Sequence, residues 1–286
     1  MVASVDLWNP NESRELPGFL KEVKMHRQQI APLAGILAAI AITTLMDAND
    51  LSVFSALPLL PLGLLLWYWQ RFSRREMGLM GGRPKDYGLA VLYPVAVIGA
   101  AAMIALLAGA VDVSATDWKR FWVELALGST IGSVMVLLTE EGFFRGWLWA
   151  SLRRAGHSRG QALAWSSVAF SLWHLSAVSL DTGFDLPAGQ IPVFMVNAML
   201  LGLVWGMLRL ISGSVLVASV SHAVWNALAY GLFAYGTKVG ALGIAKTAIY
   251  GPEVGFIGLA LNAGFAAWLW RGIQSRDRNL GSPSET

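Results

Sequence analysis

The chain of 286 residues contains no cysteine. Disulfides, thiolate metal sites and cysteine nucleophiles are excluded at once, although the compartment is not fixed by that absence. Charge is also scarce, at 14% Asp, Glu, Lys and Arg, against about 25% in an average soluble domain. Hydrophobic residues make up 55%, and the mean hydropathy is +0.54. That imbalance is too large for one globular core and points to the lipid bilayer as solvent. The net charge of +3 is modest, and the basic residues sit in short flanks between apolar runs, which argues against nucleic acid as a partner. No apolar run precedes Ile30, so no cleavable signal peptide is expected. Internal repeats, low-complexity segments and a soluble domain are likewise not evident.

What is abundant is apolar sequence in long blocks. A spanning helix needs about 20 mostly apolar residues, and eight stretches qualify: 30–46, 51–69, 88–111, 121–141, 160–180, 191–208, 213–235 and 252–270. The fourth can run on through Arg145 toward Leu152 as one long helix, and the short amphiphilic segment 237–250 reads as an outer loop. The expected fold is all-α, a polytopic membrane helix bundle of about eight transmembrane helices. Residues 1–29 form a cytoplasmic arm, 30–270 a single transmembrane domain, and 271–286 a cytoplasmic tail. With both termini cytoplasmic, 17 of the 21 Lys and Arg fall in inner segments, and only Lys119, Arg120, Lys238 and Lys246 fall outside. Such a bias is what the positive-inside rule requires. Trp67, Tyr68 and Trp69, Trp118 and Trp122, and Trp268 and Trp270 mark the interfaces, where aromatic belts form.

Ionisable groups inside hydrocarbon are costly, so each one is a functional candidate. Glu124 lies near the outer end of the fourth helix beside Lys119 and Arg120, and reads as interfacial. Glu140-Glu141-Gly142-Phe143-Phe144-Arg145 is different. Glu141 and Arg145 are spaced i, i+4 and can form an ion pair on one helix face. Glu140 is turned about 100° from Glu141 on a regular helix, which leaves it free to serve another face. One carboxylate is then structural and one is available for work. In the fifth stretch stands Phe170-Ser-Leu-Trp-His174, and in the seventh His222-Ala-Val-Trp-Asn226, where His and Asn at i, i+4 point the same way. The other two histidines, His26 and His157, lie in polar inner segments. A carboxylate can act as general base toward water, and a His can position that water, bind a metal or donate a proton. Asn with a second His can stabilise an oxyanion. Together these are the roles that peptide-bond hydrolysis needs. Taken singly, each feature is also met as ordinary helix packing or a solvated helix end.

Glu140-Glu141-x3-Arg145, then Phe170-x3-His174, then His222-x3-Asn226 resemble the motif set of the CPBP intramembrane proteases, the family of type II CAAX prenyl proteases and bacteriocin-processing and self-immunity proteins. The three motifs occur in order, each on its own expected membrane helix, and they span the core 140–226. The resemblance implies an intramembrane endopeptidase. Glu140 would activate water with His174, His222 and Asn226 would hold the oxyanion, and Glu141, Arg145 and Phe170 would support them. It also implies two versions of the chemistry. In one, Glu140, His174 and His222 bind Zn²⁺ or another divalent metal, for which a carboxylate and two neutral His are suitable ligands, and the reading leans slightly that way. In the other, Glu140 acts without metal. The implied partners are a peptide or membrane-protein substrate, one choice being a prenylated C-terminal peptide, and the lipid bilayer. Separately, the Trp- and Ala-rich spans and the bare N-terminus would suit a prokaryotic cytoplasmic (inner) membrane.

Two other classes compete: a proton-linked transporter, because buried Glu and His also mark ion paths, and a non-catalytic membrane scaffold or immunity protein. Paired intramembrane Asp, an H-E-x2-H zinc helix and a serine–histidine elbow are not evident. The drawn map also carries a tension. His174 lies about 14 residues from the inner end of its helix and His222 about 9 from the inner end of its own, so at about 1.5 Å per residue their depths differ by about 7 Å. For the motifs to meet, the fifth helix must begin above the bilayer or tilt.

Overall fold

A computed structural model describes residues 18–114, 116–184, 186–234 and 238–281. Of the expected arm and tail, residues 1–17 and 282–286 lie outside the described residues. Among the described residues there are helices and no strands. Helix α1 is Gly18–Asp47, α2 is Leu59–Gln70 and α3 is Pro84–Leu107. Helix α4, Trp118–Val136, continues without a break through a π-helical stretch, Leu137–Leu148, into α5, Trp149–Arg154. Then follow α6 at Arg159–Trp173, α7 at Leu175–Ser179, α8 at Ile191–Ser212, α9 at Val215–Leu232, the short α10 at Thr247–Tyr250 and α11 at Phe256–Gly281.

Local chemistry sets several of these boundaries. Pro84 opens α3, where Asp86 accepts from the Arg83 backbone N–H at 3.0 Å. Ser158 and Gln161 form a reciprocal capping box at the start of α6, which satisfies two of the free donors of the first turn. Gly213, in the left-handed region at φ 70°, ends α8, and the chain enters α9 two residues later. That tight corner is pinned to the 71–83 loop by Val215 N–H on the Gly78 carbonyl at 2.9 Å.

Seven helical segments among the described residues are long and apolar enough to cross a membrane: 28–47, 52–70, 84–107, 118–154, 188–212, 215–232 and 256–276. They coincide with seven of the eight expected stretches, and the fourth does run on past Leu152. The remaining stretch, 160–180, is helical but broken. Helix α6 has 15 residues, His174 turns the chain, and α7 adds five. The bundle packs α9 against α4 and α3, and α6 and α11 against α8. Lipid-facing surfaces carry large apolar side chains such as Leu33, Leu65, Met103, Trp122 and Ile131. The interior, by contrast, is built around aromatics and the Arg145 cation. Trp147, Trp205, Trp225, Arg145, Tyr93, Phe144 and Phe170 are among its largest fully buried side chains.

Candidate active site

The π-helical stretch Leu137–Leu148 carries both glutamates and, directly after them, Gly142. A Cβ at Gly142 would lie 2.4 Å from the Leu137 carbonyl oxygen, so the wide turn needs a residue without a side chain at this point. Glu141 and Arg145 are both completely buried and form the expected ion pair, with Nη1 to Oε1 at 3.0 Å. The approach is off the N–H axis, so it is a charge contact rather than an aligned hydrogen bond. The guanidinium compensates by lying over the Phe170 ring at 4.2 Å and near Trp205 at 5.5 Å. Gly202 on α8 clears space for it: a Cβ there would stand 3.3 Å from Arg145 Nη2 and 3.1 Å from Ser167.

His222 on α9 meets both glutamates. Its Nδ1 lies 3.0 Å from Glu141 Oε1, and its Nε2 lies 3.8 Å from Glu140 Oε2. The ring stacks on Trp205 at 3.8 Å and 12°. This corrects the expectation from a regular helix. Glu141 is shared between Arg145 and His222, and Glu140 faces the same histidine instead of a separate side. The π-helical stretch changes the angle between adjacent side chains, so the 100° step of an α-helix does not apply there. At 3.8 Å Glu140 is beyond direct hydrogen-bond reach of His222. Its side chain keeps 14% exposure where Glu141 has none. The less committed carboxylate is therefore Glu140.

His174 is the turn residue between α6 and α7. Its Nδ1–H donates to the Phe170 carbonyl at 2.9 Å, which leaves Nε2 as the acceptor of a neutral ring. Its ring centroid lies 4.6 Å from that of Phe170 and 4.7 Å from that of Trp173, both edge-on. Phe170 also approaches His222 edge-on at 6.0 Å. One phenyl ring thus borders Arg145, His174 and His222. Both histidines thus meet the Phe170 ring, His174 from the turn that ends α6 and His222 from α9. Asn226, one turn beyond His222, is half-buried and lines a groove of about 310 Å³ between α4 and α9, walled by Gly128, Gly132, Val136 and Ala223. At the outer end, Glu124 and Arg120 form an exposed ion pair at 2.7 Å, in line with an interfacial role.

Glu140, His174 and His222 are suitable donor types for a divalent metal, and no three His, Cys, Asp or Glu among the described residues are gathered closely enough to hold an ion as they stand. The Nδ1 atom of each histidine is engaged, by Phe170 and by Glu141, a second bond that metal-ligating histidines also make. No step is derived through a metal.

Sequence reasoning passed over a second buried polar cluster next to the first. Trp225 Nε1–H donates to Glu253 Oε1 at 2.7 Å. Asn197 donates to the carbonyls of Pro252 and Glu253 at 2.7 and 2.9 Å, and Asn262 donates to Asn197 Oδ1 at 2.8 Å. The Tyr93 hydroxyl donates to Asn262 at 2.5 Å. Asn197 and Asn262 each interrupt an apolar run, and polar residues in such positions commonly bond across helices. That signal was available in the sequence. Nothing comparable marked Trp205 as the ring on which His222 stacks.

Fold and site define a membrane helix bundle with a buried carboxylate–histidine centre. The family model described as "Rce1-like: Type II CAAX prenyl endopeptidase Rce1-like" matches residues 120–228. Over those residues the chain is similar to this family, and the matched segment contains Glu140, Glu141, Arg145, Phe170, His174, His222 and Asn226. No curated protein and no solved structure matches the chain.

Proposed function

We propose that the protein is an intramembrane endopeptidase in which Glu140 is the general base for water. The observation that carries this reading is the unequal commitment of the two adjacent carboxylates. Glu141 is buried against Arg145 and His222, while Glu140 stands partly exposed at 3.8 Å from His222 Nε2. A water held between the Glu140 carboxylate and His174 Nε2 would lose its proton to Glu140 as its oxygen adds to the scissile carbonyl carbon. The resulting oxyanion would be met by His222 and Asn226. His222 already gives its Nδ1–H to Glu141, so donation from Nε2 would take the doubly protonated ring. Glu140 then returns the proton to the departing amide nitrogen as the C–N bond breaks. Donors placed at a developing oxyanion are typically among the largest contributions to acyl-transfer catalysis.

The substrate class follows the family: a peptide whose C-terminus carries a prenyl group and lies at the membrane. The test is cleavage of a farnesylated peptide by detergent-purified protein, with and without Glu140→Gln. Wild type should cleave and retain activity after exhaustive chelation, and the variant should be inactive with an unchanged melting temperature. Substantial turnover by Glu140→Gln removes Glu140 from this role. Activity lost on chelation and restored by Zn²⁺ would instead support the metal version.

A further inference from the structure

The hydrogen bonds around α9 give the site a second support besides the Glu141 contact. We infer that Glu253 is a positioning residue, whose carboxyl sets the rotation of α9 through Trp225 and Tyr230 and thereby the aim of His222 and Asn226. The inference rests on the catalytic reading of His222 and Asn226 above.

The geometry is specific. Trp225 stands between His222 and Asn226 in the chain, and its indole N–H is bonded to Glu253 at 2.7 Å. Tyr230, one turn further on, also bonds this carboxyl. The Trp225 ring is stacked on Tyr93 of α3 at 5.2 Å and 15°. Glu253 cannot itself drift, because Asn197 of α8 holds its own carbonyl and that of Pro252, and Asn262 of α11 reinforces the latter at 3.2 Å. A rotation of α9 would break the Trp225–Glu253 bond inside the bundle and strand a buried donor, which costs about 1–3 kcal/mol. His222 is therefore fixed between two carboxylates, by direct contact with Glu141 and through its own helix by Glu253.

Glu253 lies in the 251–255 connection, outside the spanning helices. Burial pushes its carboxyl up to about 7, against the opposing pull of the Trp225 bond, the His222 ring and Tyr230, with Glu140 adding to the rise. The charged or titratable groups that face it are His222 and Tyr230 of α9, Tyr93 of α3 and Glu140 of the π-helical stretch. On ionising, Glu253 becomes a charged acceptor for the Trp225 indole N–H, and such bonds are stronger than neutral ones.

Three variants separate positioning from simple scaffolding, assayed with the farnesylated peptide. Glu253→Gln keeps an oxygen for Trp225 but loses the charge. It should hold the low-pH rate of wild type across the range and lose the inflection in kcat/KM expected of wild type near pH 7. Glu253→Met removes the acceptor and should lower kcat at least about tenfold with KM little changed, and Trp225→Phe should reproduce that split. A purely structural residue would lower the amount of folded protein without moving the pH profile. A readout free of turnover is the Trp225 indole proton in ¹⁵N-tryptophan-labelled protein. It should shift with pH around a midpoint near 7 in wild type and stay fixed in Glu253→Gln. If Glu140→Gln is inactive while Glu253→Met and Glu253→Gln match wild type in rate and profile, the positioning role is wrong and the catalytic reading survives. If Glu140→Gln is active, the catalytic reading fails. A Trp225 indole signal left unchanged by Glu253→Met, which removes its acceptor, overturns the proposal whatever the cleavage result.

Discussion

Replacing Arg145 with Met tests the central ion pair. Both partners have no solvent exposure, and the guanidinium lies 3.0 Å from Glu141. Removing it leaves Glu141 with His222 as its one hydrogen-bonded partner and with Oε2 buried and unsatisfied. Breaking a buried pair on one side typically costs about 3–5 kcal/mol, because the surviving charge is stranded. Losing the cation from the Phe170 face, 4.2 Å away, adds roughly 0.5–2 kcal/mol. Removing both charges together is far less damaging, since well-packed neutral replacements of buried pairs are often near neutral. The assay is reversible unfolding in mixed micelles, run as a double-mutant cycle over Arg145→Met, Glu141→Gln and the pair. The single Arg145 variant should lose several kcal/mol, and the double variant should recover most of it. Catalysis should not recover, because His222 Nδ1 then faces a neutral amide. An Arg145→Met cost below about 1 kcal/mol, the range of exposed pairs, would mean that water reaches this pair and that the argument from burial is wrong.

Other outcomes are equally specific. Asn226→Ala should cut kcat by about 10² to 10³, as the loss of one oxyanion donor does, with KM nearly unchanged in steady-state cleavage of the farnesylated peptide. Gly202→Ala places a Cβ 3.1 Å from Ser167 and 3.3 Å from Arg145, and should destabilise by about 1–3 kcal/mol through overpacking. A melting temperature equal to wild type would show that α6 and α8 separate freely. Reporter fusions at Leu186 and Arg278 should read outside and inside respectively, and the same compartment for both would sink the charge-based orientation.

Much of the architecture was legible because lipid imposes a simple length and polarity rule on each span. The long fourth helix, the Glu141–Arg145 pair and the surface aromatics follow from that rule and from i, i+4 spacing. The break at His174 did not follow. The stretch 160–180 is apolar throughout, and the turn is held by tertiary contacts, with Ser171 bonded to the Met195 carbonyl at 2.6 Å and Ser176 to Asp47 at 2.6 Å. The placement of Glu140 beside His222 was hidden for a different reason. A helical wheel assumes one angular step throughout, and the π-helical stretch after Val136 departs from it. Glu253 was missed because it sits at the edge of an apolar stretch, where a lone carboxylate reads as solvated. Its partners Trp225 and Asn197 lie on distant helices and become visible only when α8, α9 and α11 are packed.

The distribution of these residues along the chain has a consequence for biogenesis. The general-base candidate is made early, at Glu140, while the histidine and asparagine that would face the oxyanion come only at His222 and Asn226, and the bracing carboxylate at Glu253 follows them. A growing chain that has inserted α4 and α6 holds a carboxylate and one histidine without the opposing wall. The complete arrangement first exists when α9 has packed against α4 and the 251–255 connection has locked behind it. On the catalytic reading, no complete centre would exist to cut membrane neighbours until these elements have packed.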